Sequence, residues 1–438
     1  MRKIAVIGTG YVGLVSGAGL SDFGNEVICA DINEKKIELL KQGEIPIFEP
    51  GLKELVDRNV TAGRLSFTRD IDRVIKDSEV IFLAVWTPMS ENGEADLSAV
   101  KEVSKTIGKN LNGYKIICTK STVPVGTGAM IREIIENHQN DHVEFDVVSN
   151  PEFLREGAAV RDFLWPDRVV IGTESQKAMN IMREIYRPLF INETPMILTD
   201  IPTAETIKYA SNAFLAVKIS YINEIANLCD EIGADVHIVA KAMGLDGRIS
   251  PKFLHPGPGY GGSCFPKDTH ALLHIGESAG IDLNVVNAAV KTNINQRHRV
   301  IQKITQLFDE KPKGKTVAIL GLTFKPDTDD VRESPAIEII QWLLKKGVSV
   351  QAYDPQGIDN MKEKFPEVSY MESTEDAVRG ADLVVILTDW HEFRAMDIGR
   401  VSQLVNQKIL LDTRNILNPV DLKRYNFRFD NVGRPNVK

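Results

Sequence analysis

Two short stretches of this chain carry residue types and spacings that can do chemistry. The first is Gly8-Thr9-Gly10-Tyr11-Val12-Gly13, which closes an apolar run over residues 3–8. Glycines there permit a tight turn and let a pyrophosphate approach the backbone, and a helix start beyond them offers free N–H groups. A lone G-x-G-x-x-G says little. Here it sits between a strand-like run and a helix-like one, and a second strand-like run ends at Asp31, 23 residues after Gly8. That is near the spacing of an acid that accepts a ribose hydroxyl. The context disfavours a glycine turn without a ligand. An acid at this place repels a 2′-phosphate, so the expected dinucleotide is NAD. Lys35 and Lys36 lean the other way, or are a solvated first helical turn.

The second stretch is GYGGSCFPKD, residues 259–268. Small neighbours leave the Cys264 sulfur accessible, and Lys267 and Asp268 follow it closely. A nearby cation favours thiolate over thiol. Taken alone, a loop cysteine is more often inert than nucleophilic. Lys208 and Asn212 are four apart on a predicted helix and share a face; taken alone, a solvated lysine and a surface asparagine are the better account. His270 and His274 have a metal-compatible spacing but no evident third ligand, so no metal is expected.

These residues need a scaffold to hold them. With 438 residues the chain is long enough for two or three domains, and its 43% hydrophobic and 26% charged residues exclude disorder as the main state. A net charge of −8 argues against a nucleic-acid binder. Four cysteines without a C-x-x-C pair exclude a zinc ribbon and a disulfide scaffold, and a reducing, cytoplasmic setting fits. No apolar run reaches membrane-spanning length, and the basic start reads as a first strand rather than a signal peptide.

Buried strands are predicted at 3–8, 26–31, 80–85, 115–121, 145–150 and 168–172, with helices such as 97–111 and 126–137 between them. This alternation implies a parallel sheet covered on both faces. From Thr203 up to Gly233 the chain runs ~30 residues without Gly or Pro and reads as one long helix. The Gly/Pro-dense segment 250–268 reads as a functional loop rather than regular helix. Beyond residue 309 the α/β pattern restarts as a second, smaller sheet, and the last ~20 residues read as a partly ordered polar tail. The expected architecture is α/β: two doubly wound Rossmann-like domains joined by a central long-helix segment, divided as 1–200, 201–300 and 301–438.

The chain also resembles the UDP-glucose/GDP-mannose dehydrogenase family over nearly its whole length. The resemblance rests on GTGYVG (8–13), Thr87-Pro88, STVPVGT (121–127), NPEFLREG (150–157), Lys208 with Asn212, GYGGSCFPKD (259–268), GLTFKPDTDDVRES (321–334) and DTRN (412–415). It implies a four-electron oxidation of a sugar alcohol to a carboxylate with two NAD. Cys264 would be the covalent nucleophile. Lys208 and Asn212 would hold the substrate oxygen, Glu152 would act as base, and Thr122 and Asp268 would place water or Lys208. NAD would meet Gly8, Gly10, Tyr11, Val12, Gly13, Asp31, Lys36, Thr87, Thr122, Glu156, Lys267 and Arg332. The nucleotide sugar would meet Glu152, Phe153, Leu154, Lys208, Asn212, Arg248, Tyr260, Gly261, Phe324, Lys325 and Arg414. The Ser-Cys-Phe-Pro-Lys-Asp variant with Tyr260 points to UDP-glucose as substrate, with GDP-mannose or a UDP-N-acetyl-hexosamine as the alternative. A homodimer through the long helix is also implied.

Overall fold

The computed structural model describes residues 1–90 and 93–435. The chain forms two compact units: Met1–Ser211 with His270–Gly280, and Asn212–Thr269 with Ile281–Lys438.

The first unit is built on eight strands: β1 (Lys3–Ile7), β2 (Glu26–Ala30), β3 (Leu65–Thr68), β4 (Val80–Leu83), β5 (Lys115–Thr119), β6 (Phe145–Ser149), β7 (Val169–Gly172) and β8 (Met196–Thr199). Their order is β3-β2-β1-β4-β5-β6-β7-β8, a doubly wound sheet with two further strands. In register, Ile4 lies between Val27 and Val80. All pairs are parallel except β6 with β7, which meet antiparallel at Ser149 and Gly172. Alternate residues feed two cores. Ile4, Val6, Phe82 and Ile116 face one, and Ala5, Ile7, Ile81, Leu83 and Ile117 face the other. Covering both faces is why these strands read as unbroken apolar runs. The short β3 and β8 lack such runs. Leu65-Ser66-Phe67-Thr68 buries only alternate residues, and β8 is an edge strand with Ile197 and Leu198 exposed.

The second unit holds six parallel strands: β9 (Thr316–Leu320), β10 (Ser349–Tyr353), β11 (Ser369–Tyr370), β12 (Leu383–Ile386), β13 (Ile409–Asp412) and β14 (Arg428–Asn431), ordered β11-β10-β9-β12-β13-β14. Within the expected polar tail, Arg428–Asn431 is therefore a strand of the sheet, and residues 436–438 lie outside the described residues. Helix Pro419–Arg424 leads into β14, which pairs with β13 along its length. Its polar composition suits an edge: Asp430 accepts from Lys303 at 3.1 Å and Arg428 pairs with Asp309 at 2.9 Å.

The long helix runs Ile201–Ile232. Asp200 accepts the Thr203 N–H at 2.7 Å at its start, and Gly233 takes the left-handed conformation (φ 75°) that ends it. The segment 250–268 is not loop throughout. A helix, Phe265–Ser278, begins directly after Cys264. Pro266 does not prevent this, because first-turn N–H groups have no helical partner to lose.

The first helix, Tyr11–Asp22, packs on the sheet through small residues. A Cβ on Gly17 would lie 2.3 Å from the Cys29 sulfur, and one on Gly19 would lie 2.1 Å from the Phe163 ring. Gly19→Ala should lower unfolding free energy by about 1–3 kcal/mol through overpacking. Urea denaturation should show a smaller loss in a Phe163→Leu background; equal losses in both backgrounds would contradict this packing account.

Candidate active site

The turn between β1 and the first helix is residues 8–10. Gly8 has φ 102°, and a Cβ on it would lie 2.5 Å from the Ala84 carbonyl oxygen; a Cβ on Gly13 would lie 1.9 Å from the Gly8 oxygen. Both positions therefore require glycine. Gly10 is the N-cap of the helix and makes no side-chain hydrogen bond to the first-turn N–H groups. Asp31 follows β2. One carboxylate oxygen accepts the Thr9 N–H at 2.7 Å and its hydroxyl at 2.8 Å; the other accepts the Asn33 N–H at 2.9 Å. Partial burial pushes its pKa up, but these donors outweigh it and hold it below the ordinary carboxylate range. A carboxylate has about four acceptor positions, so capacity remains for a ribose hydroxyl. These features fit a dinucleotide. Lys36 stands on the next helix and adds a weak positive field at Asp31.

Tyr11 ties this turn to the NPEFLREG segment. Its hydroxyl donates to Glu49, which also accepts the Gly157 and Ala159 N–H groups at 2.7 Å each. Glu156 sits close enough to Tyr11 to add to the burial and Glu49 effects that push the phenol's pKa far up. In the same segment, Glu152 is 5% exposed. It accepts from Lys208 Nζ at 2.9 Å and from the Leu154 N–H at 2.6 Å. The Phe153 ring carries the Arg168 guanidinium 3.5 Å from its centroid and Lys208 Nζ at 5.3 Å. Thr87 donates to the Thr122 carbonyl at 3.0 Å, joining the segment after β4 to the one after β5.

A second buried cation lies behind this pair. Lys120 Nζ donates to Asn150 Oδ1 at 3.0 Å, and Tyr186 donates to the same oxygen at 2.6 Å. Burial pulls the Lys120 amine down to about 8. Glu205, one turn before Lys208, accepts the Gly126 and Gly128 N–H groups at 2.8 and 2.9 Å. It thereby fixes the end of STVPVGT to the long helix. Burial lifts its carboxyl to about 7.

In the second unit, Cys264 is partly exposed, and the Ser263 hydroxyl lies 3.6 Å from its sulfur. Its carbonyl accepts the Asp268 N–H at 2.8 Å, the first turn of the following helix. Asp268 is fully buried; it accepts from Asn212 Nδ2 at 2.6 Å and from Lys267 Nζ at 2.7 Å. Lys208 and Asn212 do lie one turn apart on a single helix. The Tyr260 backbone is held at both ends by Asn293, at 2.8 and 3.1 Å, and its ring meets Phe265 edge-on.

Gly261 and the Phe324 side chain are in close approach. Lys325 Nζ lies 5.3 Å from the Phe324 ring centroid. Arg414 donates to the Leu387 and Phe324 carbonyls at 2.7 and 3.0 Å, and burial lowers its pKa. Arg332 pairs with Asp330 at 2.7 Å. The Arg248 side chain is 90% exposed and paired with Asp246 at 2.6 Å. His274 pairs with Glu94 at 2.7 Å. Among the described residues no group of three or more His, Cys, Asp or Glu could hold a metal ion, and no helix is long and apolar enough to cross a membrane.

Glu49, Lys120, Tyr186, Arg168 and Glu205 were not singled out by the sequence, and Asn150 only as the first residue of NPEFLREG. The one available signal was Phe48-Glu49-Pro50-Gly51, an acid in a turn-forming tetrapeptide.

Residues 2–190 match the NAD binding domain of the UDP-glucose/GDP-mannose dehydrogenase family, residues 202–295 its central domain and residues 318–419 its UDP binding domain. The chain belongs to that family and is an NAD-dependent oxidoreductase. It is 49% identical over 439 residues to the UDP-glucose 6-dehydrogenase TuaD of Bacillus subtilis, covering 100% of this chain and 94% of that protein. Its fold is similar to a UDP-glucose dehydrogenase from Pyrobaculum islandicum, with TM-score 0.92, 34% identity and coverage of 99% and 98% of the two chains. It is also similar to a UDP-D-ManNAc dehydrogenase from Pyrococcus horikoshii, with TM-score 0.87, 29% identity and full coverage of both.

The raised Glu205 carboxyl has a consequence for stability. An acid whose pKa rises on folding contributes stability at low pH that is lost as pH climbs, here from 4.5 to about 7. Glu205→Gln should therefore flatten the stability change across that interval in urea unfolding. An unchanged slope would show that the carboxyl ionises freely in the folded chain.

Proposed function

We propose that this chain oxidises the C6 alcohol of UDP-glucose to UDP-glucuronate in two steps at one site, through a covalent bond to Cys264. The observation that carries this reading is a partly exposed cysteine directly before a helix whose buried Asp268 is bonded to Asn212 and Lys267. The 49% identity to a UDP-glucose 6-dehydrogenase supports the choice of sugar. Residues 1–200 would hold NAD, 201–300 would supply the long helix and nucleophile loop, and 301–438 would hold the nucleotide sugar.

NAD, when bound, accepts a hydride from C6 in each oxidation. The Gly8–Gly13 turn and first helix would cradle its pyrophosphate and Asp31 a ribose hydroxyl, with Lys36, Thr87, Thr122, Glu156, Lys267 and Arg332 around the remainder. The first oxidation takes one proton from the alcohol and leaves an aldehyde. The Cys264 thiolate then adds to the carbonyl carbon, forming a C–S bond and a thiohemiacetal. That carbon keeps one hydrogen and can lose a second hydride, which gives a thioester. Water adds, the C–S bond breaks, and thiolate and carboxylate separate. In all, one water is consumed and three protons are released.

Lys208 and Asn212 would stabilise negative charge on the substrate oxygen in both steps. Glu152, bonded to Lys208, would take the proton of the attacking water, with Thr122 and Asp268 placing that water. Phe153, Leu154, Tyr260, Gly261 and Phe324 would wall the sugar. Lys325 and Arg414 would meet the nucleotide diphosphate, and Arg248 would reach the site of a partner copy. The reaction is placed in the cytoplasm.

A homodimer through the long helix is part of the proposal. Phe214, Tyr221, Leu228 and Ile232 form an exposed apolar stripe there, at 64%, 46%, 52% and 65% exposure. Light scattering should give a dimer for the wild-type chain and a monomer for Phe214→Asp/Leu228→Asp. An unchanged mass for the double variant would reject this face.

The resemblance to a UDP-D-ManNAc dehydrogenase keeps a sibling substrate as the second reading. A panel of nucleotide sugars separates the two: turnover of UDP-glucose well above GDP-mannose and UDP-N-acetyl-hexosamines supports the first. The mechanism predicts two NADH per UDP-glucose, and Cys264→Ser should stall or accumulate an ester. One NADH per sugar, or wild-type turnover by Cys264→Ser, would refute it.

A further inference from the structure

The second unit repeats the winding of the first, and the differences between the two are informative. Gly321 follows β9 as Gly8 follows β1. Its φ is 99°, and a Cβ on it would lie 2.5 Å from Thr388, just as one on Gly8 would lie 2.5 Å from Ala84. Asp354 follows β10 as Asp31 follows β2. In the first unit only residues 8–10 separate strand from helix. In the second, residues 321–334 intervene before helix Pro335–Lys345.

The two acids are used differently. Asp31 is partly exposed and accepts from Thr9 and Asn33. Asp354 is 1% exposed. One oxygen accepts the Leu322 and Thr323 N–H groups at 2.7 and 3.0 Å, the Thr323 hydroxyl at 3.0 Å and the Trp390 indole N–H at 3.1 Å. The other accepts the Gln356 and Gly357 N–H groups at 2.9 and 2.7 Å. Its acceptor capacity is consumed, so no ribose hydroxyl can use it. What it holds instead is the start of the long loop.

The next residue in that loop is Phe324. Its carbonyl is bonded by Arg414 at 3.0 Å and its N–H by the Asp330 carbonyl at 3.2 Å. Its ring lies under the nucleophile loop. A Cβ on Gly262 would sit 2.7 Å from the ring, and one on Gly261 would sit 2.2 Å from the Glu333 carbonyl oxygen and 3.1 Å from Phe324 Cβ. The Gly262 N–H donates to the Arg332 carbonyl at 2.8 Å. Two residues later comes Cys264.

We propose that Asp354 and Phe324 are positioning residues for Cys264. The carboxylate locks the loop after β9, and the Phe324 ring seats the glycine pair that delivers the sulfur. This inference rests on the reading of Cys264 as nucleophile. It assigns the second doubly wound sheet a role in placing the nucleophile, beside any contact with the nucleotide sugar.

The two-step reaction supplies a diagnostic. The first oxidation does not use the thiol; the second does. Phe324→Leu withdraws the ring from Gly262, and Asp354→Asn turns one acceptor oxygen into a donor facing other donors. Purified full-length variants and wild type would be assayed for NADH formed per UDP-glucose consumed, with an amine or hydrazine present to trap carbonyl. The proposal predicts that the variants fall from two NADH per sugar towards one, with trapped aldehyde accounting for the difference. A purely structural role would lower the rate and leave the ratio at two, and that result would overturn the proposal. If Asp354→Asn does not fold, Phe324→Leu carries the test, with substrate-free alkylation of Cys264 read beside the ratio because Phe324 also walls the sugar; a wild-type alkylation rate would overturn the proposal. A wild-type ratio of one would sink the Cys264 reading itself, and this inference with it.

Discussion

Backbone approaching backbone with no room for a Cβ is the constraint on which both functional loops depend. Gly8 against Ala84, Gly13 against Gly8, and Gly261 against Glu333 are such contacts. In the first unit they bring a helix N-terminus down onto the edge of β1 and β4, the switch point where a doubly wound sheet opens a crevice. In the second unit they press the Gly261–Cys264 segment onto the segment after β9. Side chains at these positions would separate the surfaces by an atom's width, and the polar groups around them would lose their partners.

Buried charge is the second organising element. Glu152 with Lys208, and Asp268 with Asn212 and Lys267, are shielded from water within their respective units. Such groups add little net stability and can cost some, because desolvation opposes their attraction. Lys120 adds a cation near Lys208, held by Asn150, to which Tyr186 also donates, and burial lowers its pKa. Around both sets, side-chain oxygens hold backbone N–H groups: Asn293 on Tyr260, Glu205 on Gly126 and Gly128, Glu49 on Gly157 and Ala159.

Much of this was legible in the sequence because it is local. The strands read as apolar runs, Asp31 stood at a telling distance from Gly8, and the span without glycine or proline became the helix Ile201–Ile232. What escaped is local ambiguity or long range. Leu65–Thr68 is four residues long with only alternate burial, and β14 is polar because it is an edge. The glycines and prolines before Cys264 masked a helix that begins at Phe265. Glu49 meets Gly157 across 108 residues, and Asp354 meets Trp390 across 36, so no spacing rule announces either. The family motifs flagged the segments. They did not say that Asp354, unlike Asp31, has its acceptor positions filled by loop backbone.

The most direct test of the central claim is to catch the bond at the sulfur. Enzyme mixed with UDP-glucose and NAD would be quenched in acid within the first turnovers and its peptides weighed. The account predicts that the peptide bearing Cys264 gains the mass of a nucleotide-sugar acyl group and that the adduct is released by thiol or hydroxylamine. An unmodified Cys264 throughout steady turnover, or an adduct on Lys208 in its place, would contradict it.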